Sequence, residues 1–154
     1  MKLVVQRVSN ASIFVKNKLI SKINRGLLVF IGIEIGDSEK DINWLVNKLL
    51  NLRVFPDGKD KLNLSIRDVD GEILLVSQFT LLANTSKGNR PSFIRAERPD
   101  KAEKLYEKFK FGIKSNNFKK TKFGYFGQNM KVNIVNDGPF TITLNSKKKW
   151  FHTN

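Results

Sequence analysis

The sequence predicts an α+β fold in a single domain, a mainly antiparallel, barrel-like β-sheet carrying two or three helices. Three observations point there. Stretches rich in Val and Ile outnumber those with helical periodicity, short turns join several of them, and no linker or internal repeat divides the 154 residues. A chain of this length buries roughly two-thirds of the surface its unfolded form exposes. With 40% hydrophobic residues, 12 Phe among them, it has the material for a core.

In chain order, Lys2–Val8 and Ala11–Lys16 read as two strands parted at Ser9-Asn10, and Lys18–Asn24 as a third after a turn at Asn17. Leu27–Ile33 is an apolar run behind Gly26, the pattern of a strand buried on both faces. Ser38-Glu39-Lys40-Asp41 is a capping-box-like start with Asp at the fourth position. Behind it Ile42, Leu45, Val46, Leu49 and Leu50 fall at helical spacing, and Pro56-Asp57-Gly58 closes the unit as a turn. Glu72–Phe79 is the next strand. From Asn84 to Pro99 runs a polar loop long enough to suggest function rather than connection. Pro99 and Asp100 open a second helix with Ala102, Leu105, Tyr106, Phe109 and Ile113 on one face. Met130–Asn136 and Phe140–Leu144 are two further strands around Asp137-Gly138-Pro139. The domain is expected to span 1–145, with 146–154 a basic C-terminal tail.

The formal net charge is +14, distributed as +3 over residues 1–86, +2 over 87–100 and +9 over 101–154. Lys119-Lys120-Thr121-Lys122 and Lys147-Lys148-Lys149 are its two clusters, and Phe118, Phe123, Tyr125 and Phe126 interleave the first. That pattern favours contact with a polyanion, nucleic acid above all. Cysteine is absent and His152 is the single histidine, so thiol nucleophiles, thiolate metal sites, a Ser-His-Asp triad and multi-histidine metal sites are close to excluded. No metal or other cofactor is expected. The longest apolar stretch is far short of the ~20 residues a membrane span needs. The N-terminus turns polar too early for a signal-peptide core, so the expected location is cytoplasmic.

Two short motifs carry chemistry. Ser77-Gln78-Phe79-Thr80-Leu81 ends the Glu72 strand, where alternation puts Ser77 and Phe79 on one face and Gln78 and Thr80 on the other. Taken alone it reads as a strand leaving the core, with hydroxyls bonded locally to backbone. Asn136-Asp137-Gly138-Pro139-Phe140-Thr141 by spacing alone reads as an ordinary hairpin turn, although Pro139 removes a donor and restricts Gly138.

Together the motifs carry a resemblance. With Val5-Gln6-Arg7-Val8, Lys87-Gly88-Asn89-Arg90-Pro91-Ser92-Phe93 and Met130-Lys131-Val132, the chain resembles the D-aminoacyl-tRNA deacylases of the widespread bacterial and eukaryotic type, from Met1 to about Leu144. The resemblance implies hydrolysis of the ester joining a D-amino acid to tRNA, and clearance of glycine mischarged on alanine tRNA. It also implies a homodimer with active sites at the subunit interface. There a cis Gly138-Pro139 loop, held by Arg7, enters the partner's pocket and excludes L-amino acids by shape. Ser77, Phe79 and Thr80 are then the expected catalytic residues. Gln78, Met130, Gly138, Pro139 and Arg7 shape the substrate site, and Lys87, Arg90, Lys119, Lys120 and Lys122 contact tRNA. Two departures stand out: Gln128 occupies a place where a small residue is usual, and Phe140 one where Val is commoner.

For the chemistry, Thr80 is one candidate nucleophile, but no base stands beside it. The alternative is that the Phe79 and Thr80 N–H groups polarise the ester carbonyl while the RNA's 2′-OH assists water. Two other functions fit parts of the sequence. A non-catalytic basic RNA-binding β-barrel accounts for the charge but not for the paired motifs. An esterase for small molecules leaves the C-terminal charge unexplained.

Overall fold

The structure, a computed structural model, describes residues 1–147. His152, Lys148 and Lys149, and most of the expected tail, lie outside the described residues.

The sheet is organised around one long strand. β1 (Lys2–Val15) runs unbroken through Ser9-Asn10, where two strands were expected. On one edge of β1 lie β2 (Lys18–Ile23) and β3 (Gly26–Gly32), antiparallel and nearly continuous with each other. Asn10 stays in the ladder opposite Val135, whereas Ser9 has no partner in either register, and both side chains are exposed. β3 is buried on both faces, as its apolar run predicts. It pairs in parallel with β6 (Glu72–Ser77), which pairs in parallel with β7 (Thr121–Phe123). The sheet is therefore mixed, with the parallel pairs added to an antiparallel majority. Ser21 on β2 donates to the Phe123 carbonyl on β7 at 2.8 Å, drawing the two ends toward a nearly closed barrel.

Gly26 makes this crossing possible. A Cβ there would lie 1.8 Å from the Glu72 carbonyl oxygen, so only glycine lets β3 meet β6 at that point.

α1 (Glu39–Asn51) buries Ile42, Leu45, Val46, Leu49 and Leu50. Asp41 accepts hydrogen bonds from both the backbone N–H and the hydroxyl of Ser38, at 2.9 and 3.0 Å, so the shorter acid does close the box. α2 (Pro99–Ser115) starts at its proline and buries Ala102, Leu105, Tyr106, Phe109 and Ile113. Both helices pack on the core formed by β1, β3 and β6. Pro56 does more than end a unit. It belongs to β4 (Phe55–Pro56), which pairs with β5 (Leu62–Leu64) in a small hairpin that the two-residue length of β4 hides from pattern reading.

The last strand, β8 (Lys131–Asn145), runs antiparallel along the free edge of β1 and pairs with no other described strand. No hairpin turn forms at Asp137-Gly138. Gln6 faces Thr141 and Asn10 faces Val135, so four residue steps on β1 oppose six on β8, and the surplus loops out at Asp137–Phe140. Both flanks pair with the same neighbour, which is why the segment is an excursion within one strand rather than the turn of a hairpin.

Candidate active site

β6 ends where its neighbour ends. Ser77 is the last residue paired with β3, opposite Ile31, and the Gln78 N–H still donates to the Ile31 carbonyl at 2.8 Å. The strand expected through Phe79 then stops. Phe79–Leu82 is a 3₁₀ turn, so Ser77 and Phe79 do not share a strand face. Two local bonds drive this: the Leu81 N–H closes on the Gln78 carbonyl at 3.3 Å, and the Gln78 side-chain amide donates to the Thr80 hydroxyl. The first N–H groups of such a turn have no acceptor within it, which leaves those of Phe79 and Thr80 outside its bonding pattern.

Beside this turn lies a cleft of about 670 Å³. Ser77, Gln78 and Phe79 form its floor, the Phe93–Arg98 segment one wall through Phe93, Ala96, Glu97 and Arg98, and Phe126 to Met130 the other. Phe79, 58% exposed, packs edge-on against Phe93 at 5.0 Å between ring centroids. Gln128 and Met130 both line the cleft, so the unusual glutamine bears directly on its shape. Thr80 is exposed and is not among the lining residues. Among the described residues no group of three or more His, Cys, Asp or Glu is placed to hold a metal ion.

Two residues that pattern reading left in the core or in a polar loop support the cleft. Tyr106 on α2 is fully buried, and its hydroxyl donates to the Leu75 carbonyl at 3.0 Å, two residues before Ser77. Burial pushes that hydroxyl's pKa well above the usual tyrosine range. Its ring also meets Phe126 of the cleft wall at 5.8 Å. The Glu97 side chain is 6% exposed and pairs with Lys101 at 2.8 Å, and that hydrogen bond holds its carboxyl below the usual range against a smaller opposing effect of burial. A charged residue in a polar loop carries no sequence signal for such burial.

The Asp137–Phe140 loop stands apart from its own chain's cleft, whose lining it does not join. The Gly138–Pro139 peptide is cis, with Gly138 at φ +127°, and a Cβ on Gly138 would lie 2.9 Å from an Arg7 guanidinium nitrogen. Arg7 reaches the loop from β1. Its Nε donates to the Asp137 carbonyl at 3.2 Å and lies 3.3 Å from the Asp137 carboxylate, while Nη1 donates to the Val54 carbonyl at 2.8 Å. Phe140 packs under the same guanidinium at 5.1 Å, so the larger residue gains a cation–π contact. Asn136, which opens the second motif but has no site role assigned from sequence, closes the base of the loop. Its Oδ1 accepts from the Phe140 N–H at 2.9 Å and its Nδ2 donates to the Phe140 carbonyl at 3.2 Å. An Asn three residues before a proline in a strand is the only sequence signal for that clamp.

The basic residues divide between two places. Lys87 and Arg90 lie exposed on the loop that leads into Phe93. Lys119, Lys120 and Lys122 lie by the start of β6, at the opposite end from Ser77. Lys120 pairs there with Asp70, and Lys122 with Glu72 at 3.3 Å. Of the aromatics that interleave them, Phe118 is buried while Tyr125 is 54% exposed, so the expected stacking surface is reduced mainly to one ring.

Residues 4–145 match the sequence profile of a family described as D-Tyr-tRNA(Tyr) deacylase. A D-aminoacyl-tRNA deacylase of Flavobacterium psychrophilum is 50% identical over 149 residues, covering 97% of this chain and 99% of its own. One from Thermosipho melanesiensis is 51% identical over 148 residues, covering 96% and 99%. Among solved structures, a c-Myc DNA unwinding element binding protein superposes with TM-score 0.90 at 44% identity, over 94% of this chain and 98% of that one. A probable eukaryotic D-amino acid tRNA deacylase shares the fold alone, with TM-score 0.79 at 17% identity over 93% and 97%.

Proposed function

The chain belongs to the D-Tyr-tRNA(Tyr) deacylase family, and on that premise we propose that it hydrolyses the ester of D-aminoacyl-tRNA, releasing the D-amino acid and free tRNA. The observation that carries this reading is the cleft at the end of β6, with a floor of Ser77-Gln78-Phe79 and backbone donors beside it. Water adds to the ester carbonyl carbon, and the N–H groups of Phe79 and Thr80 take up the charge developing on the carbonyl oxygen. The C–O bond to the 3′-oxygen then breaks, and that oxygen leaves as the tRNA hydroxyl with a proton relayed through the neighbouring 2′-OH. Thr80, exposed and engaged by Gln78, supports the backbone scheme over a threonine nucleophile.

Selection is by shape. The Gly138-Pro139 loop is cis and does not line its own cleft, which supports insertion into the cleft of a second copy, so the working unit is a homodimer. There its backbone occupies the space an L side chain would need. Glycine, with no side chain to exclude, is hydrolysed too, including glycine mischarged on alanine tRNA. Lys87, Arg90, Lys119, Lys120 and Lys122 supply phosphate contacts, and the enzyme works in the cytoplasm. The test is single-turnover hydrolysis of matched D- and L-tyrosyl-tRNA. The D-ester is cleaved and the L-ester spared; equal rates on both overturn the assignment. A non-catalytic nucleic-acid binder, toward which the name of the 44%-identical c-Myc DNA unwinding element binding protein points, leaves both esters intact.

A further inference from the structure

The cleft's outer wall, Phe93 to Arg98, is irregular chain tied to the segment that follows β3. The Ile35 N–H donates to the Arg95 carbonyl at 3.0 Å, and the Glu97 N–H donates to the Ile33 carbonyl at 2.9 Å. Between these ties sits Glu34, 3% exposed and bridged to Ala96. One of its carboxylate oxygens pairs with Arg95 and the other with Lys147 at 3.2 Å. Burial works against ionisation of Glu34, yet Lys147 and Arg95 more than offset it and hold the carboxyl below its ordinary value.

Glu34 does not line the cleft, and no step of the hydrolysis uses it. A charge this deeply buried is a poor route to stability by itself, since an apolar pair of similar volume commonly serves as well. What distinguishes Glu34 is its place: it is bridged to Ala96 of the cleft wall and paired with Arg95, which does not line the cleft itself but directly precedes Ala96 and Glu97, which do. We infer that Glu34 is a positioning residue, which through Arg95 holds the Phe93–Arg98 wall against the end of β3 and so sets the aperture of the cleft. This rests on the reading that the cleft receives the aminoacyl end of tRNA.

The test uses two variants of the full chain. Arg95→Met removes the exposed partner and leaves Glu34 paired with Lys147, so folding is spared. It is expected to raise KM for D-tyrosyl-tRNA roughly five-fold with kcat held within about two-fold, and Arg95→Lys is expected to restore most of the loss. Glu34→Gln gives the sharper sign. It makes the protein more positive, so a purely electrostatic effect on RNA binding lowers KM, whereas a loosened wall raises it. Hydrogen exchange at the Ala96 and Glu97 amides reads the wall without reference to activity, and faster exchange there in both variants is the expected result. Unchanged exchange at these amides, or a lowered KM in Glu34→Gln, overturns the inference. If the parent protein hydrolyses neither ester, the proposed function falls and the exchange measurement still decides the role of Glu34.

Discussion

Replacing Asn136 with Ala removes both hydrogen bonds that close the base of the Asp137–Phe140 loop, at 2.9 and 3.2 Å to the two backbone groups of Phe140. Each such bond contributes about 0.5–1.5 kcal/mol net, so the loop loses about 1–3 kcal/mol of its hold. Arg7 still grips the Asp137 side of the loop through its carbonyl. The loop therefore stays folded but becomes free on its Phe140 side, the side that follows the proline. If that loop is what rejects L-amino acids, the damage falls on selectivity more than on rate. With about 1.4 kcal/mol to each factor of ten, the D-to-L rate ratio is expected to drop by roughly ten-fold or more. The drop comes mainly from a rise in L-ester cleavage. Matched D- and L-tyrosyl-tRNA hydrolysis measures the ratio directly, and a melting curve on the same sample shows whether the fold is intact. Two rates that fall together, with their ratio unchanged in a protein of near-parental melting temperature, would refute the reasoning.

Other perturbations test separate parts of the structure. Thr80→Ala keeps near-normal turnover if the backbone N–H groups do the work, because the hydroxyl's recorded bond is to Gln78; near-complete loss in single-turnover assays restores the threonine nucleophile. Asp37→Ala leaves the fully buried Met1 ammonium, now 2.6 Å from the carboxylate, without its ionic partner, and also frees the Glu34 N–H. Breaking a buried pair of this kind costs about 3–5 kcal/mol, visible as a melting temperature lower by roughly 10 °C. Asp41, partly desolvated but held by hydrogen bonds from Ser146 and Ser38, keeps its carboxyl below the ordinary value of 3.8. A depressed acid contributes stability that is complete above its unfolded value and is lost as pH falls through the folded one. Urea titrations between about pH 2 and 6 should show that loss, and Asp41→Asn should flatten it; an unchanged slope would remove Asp41 from the account.

The parts of the fold that announced themselves did so through repetition. α1 and α2 each present five apolar residues at helical spacing, and all ten are buried. The unbroken run in β3 likewise could be read directly. Reading failed where a single local bond decides the outcome. Nothing in the alternation of Ser77 to Thr80 shows that β3 will end at Gly32 and remove the partner that would have kept β6 extended. Asp-Gly-Pro between two strands looks like a hairpin because a sequence cannot show that both flanks pair with one neighbour. In the site, the motif residues Ser77, Gln78, Phe79 and Met130 do converge on one cleft, whereas Thr80 is not among the residues that line it. Glu34 and Glu97 escaped notice, and Asn136 reads only as the start of a turn, because a buried acid and a clamping amide are made by tertiary contacts that a run of polar residues does not show.

A fifteen-residue strand with an unpaired edge is an invitation to open-ended sheet growth. In β8 the Asp137–Phe140 excursion cuts that edge into two short runs whose registers differ by two residues. A straight strand from an arbitrary chain that matches one run is out of step with the other, and Pro139 offers it no donor between them. The excursion thereby acts as a lock on assembly as well as a structural detail. It leaves little for an indefinite stack to propagate along, and only a strand whose own contour is broken at the same place could follow β8 over its full length.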